Sequence, residues 1–254
     1  MTKKHLLLFI GLYLLSAPPV VYAAITYVQG CANSAGATSV TCVMGSSITS
    51  GDLLVVASKA QMADSSGTST PTFSSSAGVS CTWNVATTTI YTPSTNVEDA
   101  MAYCIAPSSG TETVQVSWNG AATSFSDVAV AEYSAATGFV SPALDIASST
   151  TSAHTQSSTI ALSSQPTYTN DLLIAIGDTW DNAQDTSTAV TGWTIASSSE
   201  RNTKLWYWQE ATTTTVYTWA RGITTDYYGA IMGAFEENSQ AAAVPRTSIL
   251  TMDW

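Results

Sequence analysis

Two unbroken apolar runs, Leu53-Leu54-Val55-Val56-Ala57 and Leu172-Leu173-Ile174-Ala175-Ile176, contrast with segments in which apolar and polar residues alternate. Each is entered by a turn residue and an aspartate, Gly51-Asp52 and Asn170-Asp171. Apolar runs this short, rich in branched side chains and bounded by turn residues, predict strands in mid-sheet that are covered on both faces. The alternating segments predict the opposite situation. In Val114-Gln115-Val116-Ser117-Trp118 the valines and Trp118 share one side and the polar residues the other, so one face meets a core and one meets water.

Read this way along its length, the chain predicts strands at 25–28, 39–44, 52–58, 81–91, 100–106, 112–118 and 127–134. They resume at 144–147, 158–162, 171–178, 193–196, 204–209, 214–220 and 227–236. Residues 64–80 read as a long surface loop with one edge strand near Thr72-Phe73, and no amphipathic helix follows the first residues. Strands with turn signals about every 8 to 12 residues are the pattern of an all-β sandwich or barrel. The pattern is also written twice. After each buried run come a strand led by Trp83 or Trp193, an aromatic strand (101–105; 205–208), a Thr-Val strand ending in Trp118 or Trp219, and a final strand (129–133; 232–235). The expectation is an antiparallel, jelly-roll-like β-sandwich built from duplicated halves, about 24–147 and 148–237. A hairpin of 144–147 with 158–162 would lock those halves into one domain.

Residues 1–23 have the layout of a secretory signal: Lys3 and Lys4, an apolar run from Leu6 to Leu15, and Val21-Tyr22-Ala23 as a cleavage box. That run is about half of the roughly 20 residues a bilayer span needs, so the expectation is cleavage, no later membrane insertion, and a secreted or cell-surface product. Charged residues are only 10% of the chain, against about 25% in ordinary soluble domains. Ser and Thr take their place. They form either an exposed hydroxyl-rich β surface or an O-glycosylated coat. The formal net charge is −11 before Lys3 and Lys4 are removed, which disfavours nucleic acid and anionic membranes as partners.

The four cysteines, Cys31, Cys42, Cys81 and Cys104, all lie in the first half. An even number in an exported chain predicts disulfides. Cys31 and Cys42 flank the turn Asn33-Ser34-Ala35-Gly36, and Cys81 and Cys104 flank 92–96; hairpin geometry therefore predicts Cys31 with Cys42 and Cys81 with Cys104.

The succession GDLLVVA (51–57), a long loop, a Trp strand, AMAYCIA (100–106), GTETVQVSW (110–118), VAVAEYSA (128–135), LDIAS (144–148) and NDLLIAIGD (170–178) resembles a widespread family of exported bacterial β-sandwich domains found in large surface proteins. The resemblance implies a structural or adhesive module, and it carries no catalytic residues to transfer.

Chemistry has few footholds. His154, the histidine that remains after cleavage, sits in a Ser/Thr tract, a poor frame for a catalytic triad. Glu132 and Glu236 lie beside the last aromatics of the duplicated strands; they are either a carboxylate pair of the kind that cleaves glycans or solvent-facing strand residues. Asp178, Asp181, Asn182 and Asp185 crowd one loop with hard oxygen ligands suited to calcium, the alternative being a solvated acidic turn; no other cofactor is expected. Trp180 in that loop, and Trp206 and Trp208 sharing one face of a strand, are candidates to stack on sugars or, for the strand pair, to fill a core. Past an Ala-rich linker at 238–245, the tail resumes a strand-like pattern in which Ile249 precedes Leu250, Met252 and Trp254 on one face. The tail is expected to add to a sheet edge of an identical subunit; strand 24–29 is the other candidate donor. Together these readings predict an exported, non-enzymatic structural or adhesive protein, with a carbohydrate-binding module as the first rival and a glycan-cleaving enzyme as the second.

Overall fold

The computed structural model describes residues 25–62, 70–75, 78–91, 97–118, 122–153, 157–167, 171–179, 193–198, 204–209, 216–220 and 227–238. They are all-β and antiparallel. The first half contains β1 (Thr26–Ala35), β2 (Ser39–Val43), β3 (Leu53–Met62), β4 (Pro71–Ser75), β5 (Asn84–Tyr91), β6 (Val97–Ile105), β7 (Thr113–Trp118) and β8 (Ala122–Ser134). A five-stranded sheet in the order β1-β8-β3-β6-β5 is paired with a three-stranded sheet in the order β2-β7-β4. The order β1-β8-β3-β6 over β2-β7-β4 is that of a jelly roll, with β5 moved to the outer side of β6. The edge strand expected near Thr72-Phe73 is β4.

The second half comprises β9 (Phe139–Ala153), β10 (Ser157–Ala161), β11 (Leu172–Thr179), β12 (Thr194–Ser198), β13 (Lys204–Gln209), β14 (Val216–Ala220) and β15 (Tyr227–Glu237). Its five-stranded sheet, read from the other edge, runs β9-β15-β11-β13-β12, and β10 pairs with β14 in a two-stranded sheet. The order of the large sheet matches that of the first half, while the small sheet has two described strands against three. The chain leaves the first large sheet at Ser134 and enters the second at Phe139, through a turn closed by Gly138 N–H donating to Ala135 O at 2.9 Å. The change-over therefore falls earlier than residue 147. The segments at 144–147 and 158–162 do not form a hairpin across the halves: β9 pairs with β15 and β10 with β14, so the chain crosses between sheets there, as it does from β1 to β2.

The halves meet through their large sheets. β1 packs on β12, β8 on β12 and β13, β6 on β15, and β5 on β9 and β15. Alternation along β3 sends Leu53, Val55 and Ala57 into this central core, while Leu54, Val56 and Ala60 enter the core of the first sandwich. Likewise β11 sends Leu172, Ile174 and Ile176 inward and Leu173 and Ala175 to the outer core of the second half. This double covering is why both runs lack alternation. Tyr103 meets Phe235 edge-on across the central layer with centroids 5.4 Å apart, and Tyr27 meets Tyr133 at 6.0 Å. Tyr27 Oη donates to Ala196 O at 2.9 Å, joining the halves by a hydrogen bond. At Gly233 the approach is close enough that a Cβ would come within 3.0 Å of Met101 Sδ. Residues Ala24–Asn238 form one compact unit.

Both disulfides form in the predicted pairing, Cys31–Cys42 and Cys81–Cys104. The reason differs for the first. β1 and β2 belong to different sheets, so Cys31–Cys42 is a staple between layers at one edge of the sandwich rather than a bond across a hairpin. Asn33 Nδ2 donating to Thr41 O at 2.8 Å supports the same corner.

Candidate functional site

A cleft of about 260 Å³ lies where the two large sheets meet at one end. β6 and the turn after it contribute Tyr103, Ile105 and Pro107; the segment entering β5 contributes Thr82 and Asn84; β9 contributes Ser141, Pro142 and Ala143. Alternation aims Tyr103 inward from a mid-sheet strand, and burial raises its phenol above the ordinary tyrosine range, the Leu144 backbone opposing part of the rise. The lining offers hydroxyls, an amide and apolar ring and proline surfaces, and it carries no formal charge. Such a surface can hold a neutral polyhydroxyl or peptide group by hydrogen bonds and stacking. It presents neither a nucleophile–base pair nor paired carboxylates.

The ionisable groups lie inside the sheets instead. Glu132 on β8 is 0% exposed and Asp52, at the entry to β3, is 7% exposed. Glu132 Oε1 accepts from Thr49 N–H at 3.0 Å and Oε2 from Gln29 Nε2 at 2.7 Å. Gln29 is itself held at both ends of its amide by the Ser46 backbone. Both oxygens of Glu132 thus accept from neighbouring loops and strands, and Asp52 shares a side-chain hydrogen bond with the same group. Burial, a hydrogen bond with Glu132 and the repulsion of its charge push the Asp52 carboxyl up to about 7. The pair clasps the loop before β3 to the ends of β1 and β8, and its burial suits a structural joint rather than a reacting centre.

Three further groups were invisible as sites in the sequence. Glu112, 1% exposed, precedes β7 in phase with Val114 and Val116, and burial raises its carboxyl against the opposing effect of Ser75 and the Val79 backbone. Glu237, opposite Phe139, is also raised by burial. The third is a row across the first large sheet, in which Lys59 on β3 stands opposite Asp99 on β6 and Asp127 on β8. A charge in phase with a buried run is the signal that would have found them: Lys59 continues the inward positions of Leu53, Val55 and Ala57.

The carboxylate pair suggested by the repeat is not a pair. Tyr133 stands opposite Leu53 and Phe235 opposite Leu172, so the counterpart of Glu132 is Ala234, and Glu236 lies one residue beyond the final aromatic. Nor is Glu132 solvent-facing, since it is wholly buried, while Glu236 is half-buried. Asp178 sits near the end of β11 opposite Gly229; Asp181, Asn182, Asp185 and Trp180 lie outside the described residues, as do His154 and the tail with Ile249, Leu250, Met252 and Trp254. Among the described residues, three or more His, Cys, Asp or Glu side chains do not gather as a metal-binding group. Trp206 and Trp208 take register positions opposite Ala175 and Leu173 in the middle of the second large sheet. The other candidate donor, strand 24–29, is part of β1 and lies along β8 of its own sheet. No helix of the described residues is long and apolar enough to cross a membrane.

Compared with known proteins, the chain matches no family model, no curated protein and no solved structure.

Proposed function

We propose that this chain is an exported, non-enzymatic structural or adhesive unit of the cell surface that associates with copies of itself. The observation that carries the reading is where the chain puts its scarce charge. Asp52, Lys59, Glu98, Asp99, Glu112, Asp127 and Glu132 are buried within or at the ends of one sandwich, away from any surface a substrate could reach. The two disulfides staple that same sandwich, as suits an oxidising compartment. Among the described strands, β4, β5, β9 and β12 lie at sheet edges, the places where an identical subunit can add a strand, and head-to-tail addition builds filaments when the rotation does not close. The test is negative-stain microscopy and light scattering of the full chain and of a chain lacking 246–254. Fibres or discrete oligomers are expected for the first and a folded monomer for the second; a full chain that stays monomeric at high concentration, or that cleaves a polysaccharide, overturns the reading.

A second reading, glycan binding, is favoured by the uncharged cleft. Its volume, about 260 Å³, lies just below the ~300–1,000 Å³ of ligand pockets and suits one sugar ring. Glycan-array binding that is lost in Asn84→Ala would move the proposal to a lectin-like module.

A further inference from the structure

Lys59, Asp99 and Asp127 form one row across the interior of the first large sheet. Lys59 is flanked by Asp99 of β6 on one side and Asp127 of β8 on the other. Directly opposed residues of antiparallel strands share a face, with Cβ atoms about 4.5–5.5 Å apart. Counting by twos from Leu53, Val55 and Ala57 on β3, from Tyr103 and Met101 on β6, and from Ala131 and Ala129 on β8, all in the central core, places the row on the face turned toward the second half. Exposures are 1% for Lys59, 1% for Asp99 and 0% for Asp127. The ring of Phe125, two residues before Asp127 and on the same face, lies 4.8 Å from Lys59 Nζ. The amine therefore leans over β8, the strand that carries Asp127.

Burying ions costs several kcal/mol each unless they are well paired, and two carboxylates flanking one lysine cannot both keep their charge cheaply. Where water is excluded, a neutral amine beside a neutral acid is less costly to bury than the corresponding ions. That pair is the reactant pair of an amide condensation.

We propose that Lys59 and Asp127 condense to a side-chain amide that cross-links β3 to β8, with Asp99 carrying the proton. The Lys59 Nζ lone pair adds to Cγ of the protonated Asp127 carboxyl. Asp99 takes a proton from the nitrogen and returns it to the departing oxygen; the C–O bond breaks, one water leaves, and Asp99 regains its starting state. No oxidant or cofactor enters. Fixing amine and acid on adjacent strands raises their effective concentration, which in well-oriented intramolecular reactions reaches ~10⁵–10⁸ M. The product is neutral, so the cost of burying the reacting ions disappears, and the released water passes to solvent.

The test is mass spectrometry of the purified full chain with its disulfides reduced. Wild type is expected to be lighter than its sequence by one water, with tandem spectra showing Lys59 joined to Asp127 and trypsin failing to cut after Lys59. Lys59→Arg, which keeps the charge, and Asp99→Asn are each expected to show the full sequence mass while retaining a β-sheet circular dichroism spectrum. Wild type at full mass overturns the proposal even if both variants fail to fold. So does a water loss that persists in Lys59→Arg, which marks a succinimide instead, or a link that maps to Asp99.

Discussion

Asp52→Asn tests the raised carboxyl of Asp52 beside Glu132. The Asp52 carboxyl is pushed from 3.8 to about 7 in the fold. Between those values the folded chain holds a proton that the unfolded chain has released, so stability falls as pH rises through that window. The favourable state is fully present below about pH 4 and lost above about pH 7. A pKa difference of about 3 at ~1.4 kcal/mol per unit sets an upper bound of about 4 kcal/mol. Asn is uncharged at every pH, nearly isosteric with protonated Asp, and able to donate to Glu132. Urea unfolding of both proteins at about pH 5 and about pH 8 is the assay. At about pH 5 wild type has already lost about a third of that stabilisation, so the advantage of the variant should be small there and should grow by up to about 3 kcal/mol on going to about pH 8. Glu112 and Glu237, also raised by burial, shift both proteins alike, as does the net negative charge, so the difference between the proteins isolates Asp52. A difference that does not change with pH, or that favours wild type at high pH, refutes the assignment.

Replacing Cys31 and Cys42 with Ser should cost about 3 kcal/mol from the loop their bond closes, read as a lower urea midpoint, and it should loosen β1 from β2 in hydrogen exchange without disturbing β9 to β15. Gly78→Ala should destabilise by at least about 2 kcal/mol, because Gly78 has φ +82° and a Cβ there would overlap Thr111 O; thermal melting checks it, and a neutral result would show that the 78–80 turn has another conformation in solution. Tyr27→Phe removes the hydroxyl that donates to Ala196 O and should cost about 1 kcal/mol, with β12 amides losing more exchange protection than those of β6.

Much of the architecture was legible in the chain itself. The two unbroken apolar runs marked β3 and β11 as doubly covered, and alternation in Val114-Gln115-Val116-Ser117-Trp118 assigned the buried face of β7 correctly, because a side chain's direction in a strand follows from its position along the backbone. Cysteine pairing was legible as well, since few partners lie within reach. What sequence alone did not decide was which strands lie side by side. Cys31 and Cys42 looked like positions across a hairpin, yet β1 and β2 belong to different sheets; 144–147 and 158–162 looked like a hairpin, yet they separate in the same way. Glu132 and Glu236 looked like counterparts, and the ladder of β3 with β8 against that of β11 with β15 moved them apart. The buried row of Lys59, Asp99 and Asp127 comes from three strands far apart in the chain. Pairing and register between such strands are set by which distant faces bury together, so only the folded sheet placed one lysine between two aspartates away from water.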